Sequence, residues 1–316
     1  MACHARPCHR KKSESAKAYD GVGMLKTLNI IGAGRVARTL GTLWRQQGVF
    51  AIGDVCSRTP QSAQDAVAFI GAGHGCETIR AMRPAEAWFI ATPDDVIARV
   101  AAQLGASVLR VGDVVFHCSG ALPANALRAT LRPGVQVASV HPLKSFADPD
   151  AAVRTFSGTY CAAEGDAAAL ALLKPAFQVI GALVTEIDPQ FKTLYHAASV
   201  LVCNDLTALM EAGLRCFEKA GLPRTTATAM MAPLVRETLD NVFKLGTTQA
   251  LTGPVARGDH AVVARQIEAL QAFDPRIAEI YRALGVITIA LSRAQGGATA
   301  TALDIIESAL RANTAG

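Results

Sequence analysis

The sequence predicts an α/β protein in which a doubly wound, mainly parallel sheet is followed by an all-α C-terminal domain. Up to about residue 187, short apolar runs of strand length alternate with segments of helical periodicity. This alternation is typical of a parallel sheet with helices on both faces. From Asp188 onward the strand pattern stops, and long helical stretches continue toward the end of the chain. We therefore expect one domain over residues 24–187 and a second over residues 188–316.

The first predicted strand leads into a glycine-rich turn, and a helical pattern follows the turn. Gly32 and Gly34 come directly after an apolar run, and Ala37 lies three residues further on. In this pattern the first glycine permits a tight turn, the second lets the backbone approach a pyrophosphate, and the small third residue lets helix and strand pack closely. The pyrophosphate of a dinucleotide would bind free N–H groups at the helix N-terminus. The predicted contacts are Gly32, Ala33, Gly34, Arg35 and Val36. The sequence thus predicts a Rossmann-type sheet.

The end of the second predicted strand, residues 49–56, indicates which dinucleotide would bind. NAD-preferring sites usually place Asp or Glu there, to accept hydrogen bonds from the ribose 2′-hydroxyl. Here the strand is followed by Ser57, Arg58 and Thr59, while Asp54 lies within the strand, too early to reach the ribose. Because arginine pairs bidentately with phosphate oxygens, this segment suits a 2′-phosphate, and NADP(H) is the predicted cofactor. The alternative is a solvated Arg58, with Ser57 or Thr59 capping the next helix.

Three further strand ends carry polar residues at the edge of the sheet where ligands bind in open α/β folds. Thr92 and Pro93 follow one strand and would line the ribose and nicotinamide side of the cofactor. Hydride addition to a carbonyl or imine leaves charge on oxygen or nitrogen, so a proton donor or cation is needed. The candidates by position are His117, Ser119, His141 and Lys144. For each histidine the alternative is a structural hydrogen bond at a strand end.

The predicted helix 189–220 supplies a second group of polar residues among apolar ones. Its polar residues include Lys192, Tyr195, His196 and Asn204. At ~100° and ~1.5 Å per residue, His196 and Asn204 would be about 80° and about 12 Å apart. They can therefore line one wall of a cleft but cannot hold the same small group. The alternative is that they are core residues with local partners.

One loop is predicted to interrupt the helical half. Residues 246–259 contain several glycines, a proline and polar residues, which favour turns over helix. Arg257 is a candidate for binding a substrate carboxylate, and the alternative is an ion pair with Asp259 that orders the loop.

The composition argues against several classes of protein. The chain has 316 residues, of which 51% are hydrophobic, enough for two domains with cores of their own. Its formal net charge of +5 comes partly from the first dozen residues, and with scattered basic residues and 5% aromatics we expect no nucleic-acid partner. Eight cysteines, several within apolar segments, fit a reducing cytoplasm better than a disulfide framework. No uninterrupted apolar run approaches about 18–20 residues, so no membrane partner is expected.

Residues 1–23 look foreign to the predicted fold. The pairs Cys3-His4 and Cys8-His9 match no common zinc spacing, and no apolar core of a signal peptide is visible. Met24 directly precedes the first strand. We therefore expect a disordered tail or an upstream start codon and predict no metal site; metal binding by the two pairs is the alternative.

Several separate motifs occur in the order found in one bacterial family. They are GAGRVA at 32–37, HCSGA at 117–121, HPLKSF at 141–146, YHAA at 195–198, Asn204, LTGP at 251–254 and RGD at 257–259. Together they resemble a family of Rossmann-like oxidoreductases with a C-terminal helical domain of unknown function. Its members are often labelled deazaflavin-dependent NADP oxidoreductases. More distantly, the chain is similar to pyrroline-carboxylate, ketopantoate and 6-phosphogluconate-type dehydrogenases.

The resemblance implies an NADP-binding domain, a helical dimerisation domain and an active cleft between them, but it supplies no substrate. Lys144 departs from the glutamine expected in the family at that position. In related hydroxyacid dehydrogenases, a lysine followed four residues later by asparagine carries the chemistry. Lys192 and His196 have that spacing but not that identity, so the resemblance implies the location and not the mechanism.

The residues and the resemblance together predict an NADP(H)-dependent oxidoreductase for a small, carboxylate-bearing carbonyl or imine. We expect a cytoplasmic homodimer formed through the helical domain. His196 is the predicted proton donor or substrate orienter, with Asn204, Lys144 and Ser119 as polar contacts. Two alternatives are hydride exchange between NADP and a deazaflavin, and a non-catalytic protein that senses the redox state of NADP(H).

Overall fold

The computed structural model describes residues 25–106, 108–128 and 131–312. The segment 1–23, predicted to be a tail, lies outside the described residues. The described chain forms two compact units, one of residues up to Val200 and the other from Leu201 onward. The boundary predicted near Ile187 stays a prediction.

The first unit alternates strands and helices, as the sequence predicts. Its strands are β1 (Thr27–Ile31), β2 (Ala51–Cys56), β3 (His74–Cys76), β4 (Ala87–Ile90), β5 (Val114–His117), β6 (Gln136–Pro142), β7 (Tyr160–Gly165) and β8 (Leu183–Glu186). Its helices are α1 (Arg35–Gln46), α2 (Pro60–Ile70), α3 (Asp94–Gly105), α4 (Asn125–Arg128), α5 (Pro149–Arg154) and α6 (Ala167–Val179).

The strands form one sheet in the order β3-β2-β1-β4-β5-β6-β7-β8. Neighbouring strands are parallel except β6 and β7, which pair antiparallel with His141 opposite Ala162. The order of the first six strands, 3-2-1-4-5-6, is that of dinucleotide-binding Rossmann sheets, and it confirms the predicted doubly wound fold. The strand β3 is not predicted from the sequence, because this edge strand has three residues and no apolar run.

Apolar residues fill both faces of the sheet, because successive side chains of a strand point to opposite sides. On one face Trp44 is fully buried and makes edge-to-face contacts with four phenylalanines at ring distances of 5.2–6.0 Å. These are Phe50, Phe89, Phe116 and Phe177. The other face packs Trp88, Ile90 and Val115 against helix α3 and its neighbours. The central strands are thus packed on both faces.

The second unit is helical, as predicted. The long helix α7 (Lys192–Lys219) crosses from the first unit into the second. It is followed by α8 (Arg224–Ala250), α9 (Pro254–Arg257), α10 (His260–Phe273), α11 (Pro275–Gln295) and α12 (Ala300–Arg311). The core of this unit contains Val255, Val263, Ile267, Ile289, Leu303, Ile306 and Leu310.

The loop predicted over residues 246–259 is largely helical, which corrects the sequence analysis. α8 continues to Ala250 across a break at Gly246, whose φ of 80° and ψ of 160° are not helical. Pro254 then begins α9, where its missing N–H costs nothing because the first turn lacks acceptors. Arg257 Nε lies 3.0 Å from Asp259 Oδ2. This ion pair is the alternative to carboxylate binding given above for Arg257.

In the described part of the chain, the helical segment Pro189–Lys219 is long and apolar enough to cross a membrane by length and composition alone. Its most apolar window has a mean hydropathy of 1.3. The segment also contains a fully buried lysine, Lys192. That no membrane partner exists stays a prediction.

Candidate functional site

The glycine-rich turn after β1 has the geometry that the sequence predicts for a phosphate cradle. Gly32 has φ of +116°, and a Cβ at this position would lie 2.3 Å from the Ala91 carbonyl oxygen, so only glycine fits. Its N–H donates to the Cys56 carbonyl at 2.8 Å. Helix α1 begins at Arg35, after Gly34, and no side chain caps its first turn. The backbone N–H groups there remain available for an anion.

The neighbouring residues of the turn support the same geometry. The Ala33 carbonyl accepts a hydrogen bond from Arg38 Nε at 3.0 Å, which fixes the backbone beside the helix start. Gly34 and Arg35 are exposed, Val36 is half-buried, and Ala37 is fully buried against the sheet. The small residue at position 37 therefore does what the pattern requires, bringing α1 close to β1.

In the segment after β2, the side chain of Arg58 is exposed. Thr59 Oγ1 accepts a hydrogen bond from the Ser62 N–H at 3.2 Å and caps α2. A helix cap at Thr59 is the alternative to cofactor binding given above for this segment. Ser57 is half-buried and Arg58 is exposed. Asp54, the other candidate ribose ligand, is buried in β2, and its carboxylate pairs with Arg83 at 2.5 Å. That pairing leaves Asp54 poorly suited to bind a ribose.

Beyond β4, Thr92 and Pro93 lie where the cofactor side of the site is predicted. The Thr92 hydroxyl is buried and has no hydrogen-bond partner among the described residues. A buried polar group without a partner is costly, so it marks a place where a ligand can complete the hydrogen bonding. Pro93 precedes the first turn of α3, which no side chain caps.

Ser119 uses its hydroxyl to shape the turn after β5. Oγ donates to Asp94 Oδ2 at 2.8 Å and accepts from the N–H groups of Ala121 and Leu122 at 3.2 and 2.9 Å. The side chain is buried, and these three bonds use the donor and both lone pairs of the hydroxyl. Ser119 therefore positions the neighbouring Gly120 and the start of α3.

Two imidazoles meet at Gly120. His141 is near the end of β6, His196 is in the second turn of α7, and their ring centroids are 5.8 Å apart. A Cβ on Gly120 would lie 2.3 Å from His196 Cδ2 and 2.9 Å from His141 Nε2. On its other edge, His141 Nδ1 lies 3.2 Å from the hydroxyl of Tyr195. We call His141, Tyr195, His196 and Gly120 the imidazole cluster.

A buried ion pair lies in the same unit. Lys192, the first residue of α7, is 0% exposed, and its Nζ lies 2.8 Å from Glu164 Oε1, whose side chain is 3% exposed. The ammonium also donates to the hydroxyl of Ser139, and Glu164 Oε1 accepts the N–H of Ala124 at 2.8 Å. Each charge thus has a partner of opposite sign and further hydrogen bonds, as burial requires.

Burial and the Lys192 charge keep two histidines neutral. Burial first, and then Lys192, lower the pKa of His117 to about 3. Burial, followed by His196 and Lys192, lowers the pKa of His141 to about 4. His117 is fully buried, and its Nδ1 accepts a hydrogen bond from the Ser119 N–H at 3.1 Å. This is the structural hydrogen bond at a strand end that was the alternative to catalysis for this histidine.

Two other predicted polar contacts, Lys144 and Asn204, do not belong to the imidazole cluster. Lys144 Nζ donates to the carbonyl and hydroxyl of Thr155 at 2.8 and 2.9 Å, at the end of α5. Asn204 is exposed on the part of α7 that belongs to the second unit. Of the four predicted catalytic residues, His196 alone belongs to the imidazole cluster.

Glu164 is the residue that the sequence analysis missed. It is the one charged residue in the strand sequence YCAAEG of β7. A carboxylate within a buried strand needs a partner, and that rule was the available signal. The identity of the partner, Lys192, could not be read from the sequence because 28 residues separate the two.

A family profile described as a domain of unknown function, DUF2520, matches residues 159–288. No curated protein matches the sequence. Among solved structures, a Bacteroides fragilis protein described as an NADP oxidoreductase, BF3122, is 23% identical; the match covers 86% of this chain and 98% of that one, with a TM-score of 0.64. Protein TM1727 from Thermotoga maritima is 25% identical, over 90% of this chain and 100% of that one, with a TM-score of 0.63.

An enzyme of known activity has the same fold. The reductive aminase of Aspergillus terreus, solved with NADPH and ethyl-5-oxohexanoate, is 17% identical over 91% of this chain and 93% of its own, with a TM-score of 0.56. At this level of identity the likeness shows a shared fold and leaves the activity of the present chain to be argued from its own residues.

Proposed function

We propose that this protein is an NADP(H)-dependent oxidoreductase that acts on a small carbonyl or imine substrate bearing a carboxylate. The observation that carries the proposal is the turn at Gly32, which is pressed against the Ala91 carbonyl beside an uncapped helix start. This is the geometry that a pyrophosphate requires. The shared fold adds support, because the reductive aminase was solved with NADPH and the Bacteroides protein is described as an NADP oxidoreductase.

The residues that would hold the cofactor lie along the carboxyl ends of β1, β2 and β4. Backbone N–H groups of the first turn of α1 would bind the pyrophosphate, Arg58 the 2′-phosphate, and the Thr92 hydroxyl the ribose or nicotinamide side. When bound, NADPH supplies a hydride for an electrophilic carbon. The full set is Gly32, Ala33, Gly34, Arg35, Val36, Ser57, Arg58, Thr59, Thr92 and Pro93.

His196 is the proposed proton donor or substrate orienter, because it belongs to the imidazole cluster beside the backbone of Gly120. Ser119 contributes through the turn that it holds. The hydrogen bonds of Lys144 to Thr155 argue for a structural role of this lysine. A substrate contact from Asn204 stays a prediction.

Replacing Arg58 by alanine tests the cofactor preference. We expect the Kd for NADPH to rise about 10- to 100-fold, since a charged hydrogen bond to phosphate contributes about 1.5–3 kcal/mol. The Kd for NADH should stay within about twofold, because NADH lacks the 2′-phosphate. Fluorescence titration of wild type with NADPH, NADP, NADH and NAD gives the baseline, and Arg154→Ala, an exposed arginine at the end of α5, is the control. Equal losses for both reduced cofactors would contradict the role of Arg58.

The activity itself is tested by NADPH oxidation with small keto acids, cyclic imines and a deazaflavin. Turnover of a keto acid or imine supports the proposal. Oxidation with the deazaflavin alone would identify hydride exchange as the reaction. Tight NADPH binding without oxidation of any compound would favour a sensor of the NADP(H) redox state.

We further propose that the helical unit forms a homodimer. Only Ala227 is buried in the whole of α8, whereas Met230, Leu234 and Phe243 are exposed on it. A helix with this much exposed apolar surface is typical of an interface between subunits. A second copy of the chain is the occupant expected from the resemblance.

A charged residue on this surface should separate the subunits. Phe243→Glu, at a side chain 84% exposed, is expected to shift the protein from dimer to monomer in sedimentation velocity runs. Val111→Glu is the matched control, because Val111 is 83% exposed but belongs to the first unit. A wild-type protein that sediments as a monomer would refute the dimer.

A further inference from the structure

The hydroxyl of Tyr195 contacts one of the two ring nitrogens of His141. Burial raises the pKa of Tyr195 to about 12, so the phenol stays protonated at neutral pH and is able to donate. Its oxygen lies 3.2 Å from His141 Nδ1. A neutral imidazole that accepts a hydrogen bond at Nδ1 carries its proton on Nε2. When Tyr195 donates in this pair, His141 is therefore the Nε2–H tautomer.

The opposite edge of the His141 ring lies beside Gly120. Nε2 has no hydrogen-bond partner among the described residues, although the ring is half-buried. A Cβ on Gly120 would lie 2.9 Å from both Cε1 and Nε2. Nε2 therefore has unused hydrogen-bonding capacity at the carboxyl end of β6.

The charged and titratable groups around His141 favour its neutral form. His196 and Lys192, both on α7, oppose protonation of the ring, and burial opposes it more strongly. Asp94, at the start of α3, favours protonation but is outweighed. Tyr195 contributes only a neutral hydroxyl. His141 is thus a donor that does not need to become an imidazolium.

We propose that His141 is a catalytic hydrogen-bond donor, whose Nε2–H binds the oxygen or nitrogen of the substrate's C=O or C=N group. Tyr195 is its positioning residue. A neutral imidazole can polarise a carbonyl in this way without giving up its proton, and the bond strengthens as charge develops on the acceptor atom. His196 then remains the group that donates the proton. This inference rests on the proposed oxidoreductase function.

The tautomer can be measured without substrate or cofactor. In ¹⁵N-histidine-labelled protein, we expect His141, assigned by its absence in His141→Gln, to show a protonated Nε2 and an unprotonated Nδ1 at pH 6–8. Tyr195→Phe should lower the fraction of the Nε2–H tautomer and give a mixture of tautomers. Tyr160→Phe, at an exposed tyrosine on β7, should leave the spectrum unchanged. A protonated Nδ1 or an imidazolium at pH 7, or an unchanged tautomer in Tyr195→Phe, would overturn the proposal.

Kinetics separate this proposal from the proposed function. With a substrate from the NADPH-oxidation screen, His141→Gln should lower kcat/KM at least about 100-fold and Tyr195→Phe about 10-fold. The Kd for NADPH should stay within twofold in both variants. Normal turnover in His141→Gln would overturn the catalytic role while leaving the oxidoreductase intact. Failure of wild type to bind NADPH would reject the proposed function, and with it the catalytic role, whatever tautomer the spectra show.

Discussion

Replacing Lys192 by methionine is expected to lower the free energy of unfolding by about 3–5 kcal/mol, the usual cost of breaking a buried ion pair from one side. The substitution leaves the carboxylate of Glu164, whose side chain is 3% exposed, without its cation. Ser139 and the N–H of Ala124 cannot neutralise that charge. Urea unfolding followed by the fluorescence of the buried Trp44 and Trp88 measures the loss in the first unit.

Two further variants show whether the loss comes from the unpaired charge. The double replacement Lys192→Met with Glu164→Leu should recover most of the stability, because apolar residues of similar size often replace a buried pair without loss. Lys174→Met is the matched control, since Lys174 pairs with Glu186 at 2.6 Å at the surface and should cost no more than about 1 kcal/mol. A loss in Lys192→Met no larger than in this control would show that the pair is dispensable.

Acidification should destabilise the protein by several kcal/mol between about pH 6.5 and pH 4. Histidines in the unfolded chain take up protons near pH 6.5. In the folded protein His117 and His141 resist protonation until about pH 3 and pH 4. Because the unfolded state binds more protons in this range, stability falls as the pH falls and is fully present above about pH 6.5.

The acid dependence can be traced to His117 by substitution. His117→Asn keeps an acceptor for the Ser119 N–H, and it should flatten the fall in stability between pH 6.5 and pH 4 relative to wild type. His260→Asn, at an exposed histidine on α10, should leave the slope unchanged. An identical slope in His117→Asn and wild type would show that His117 does not contribute to the acid loss.

The sequence predicts the sheet of the first unit well, because local patterns determine it. The apolar runs of β1, β4 and β5 are buried on both sides and are readable as strands. The turn at Gly32 is equally visible, since only glycine tolerates its conformation. β3 and α9 are too short to leave a periodic pattern, and the glycine before α9 and the proline at its first position favour a turn by local pattern.

The candidate site is less readable because it depends on contacts between distant segments. The position of His196 on a long helix was visible, but its proximity to His141 and Gly120 follows from how α7 packs on the strand ends. Lys144 and Ser119 were expected to face a substrate, yet both hydrogen-bond within the protein. No local pattern distinguishes a polar group with a tertiary partner from one that is free to bind a ligand.

The buried ion pair between Glu164 and Lys192 also limits where related genes can recombine between the sheet and the helical unit. Glu164 belongs to the sheet, but its counter-ion is the first residue of α7, five residues beyond the end of the strand pattern at Ile187. Recombination at Ile187 would join the sheet to α7 of another protein. The buried carboxylate of Glu164 would then lack the Lys192 ammonium. A viable chimera must inherit the first turns of α7 together with the sheet, so its joint should fall after Val200.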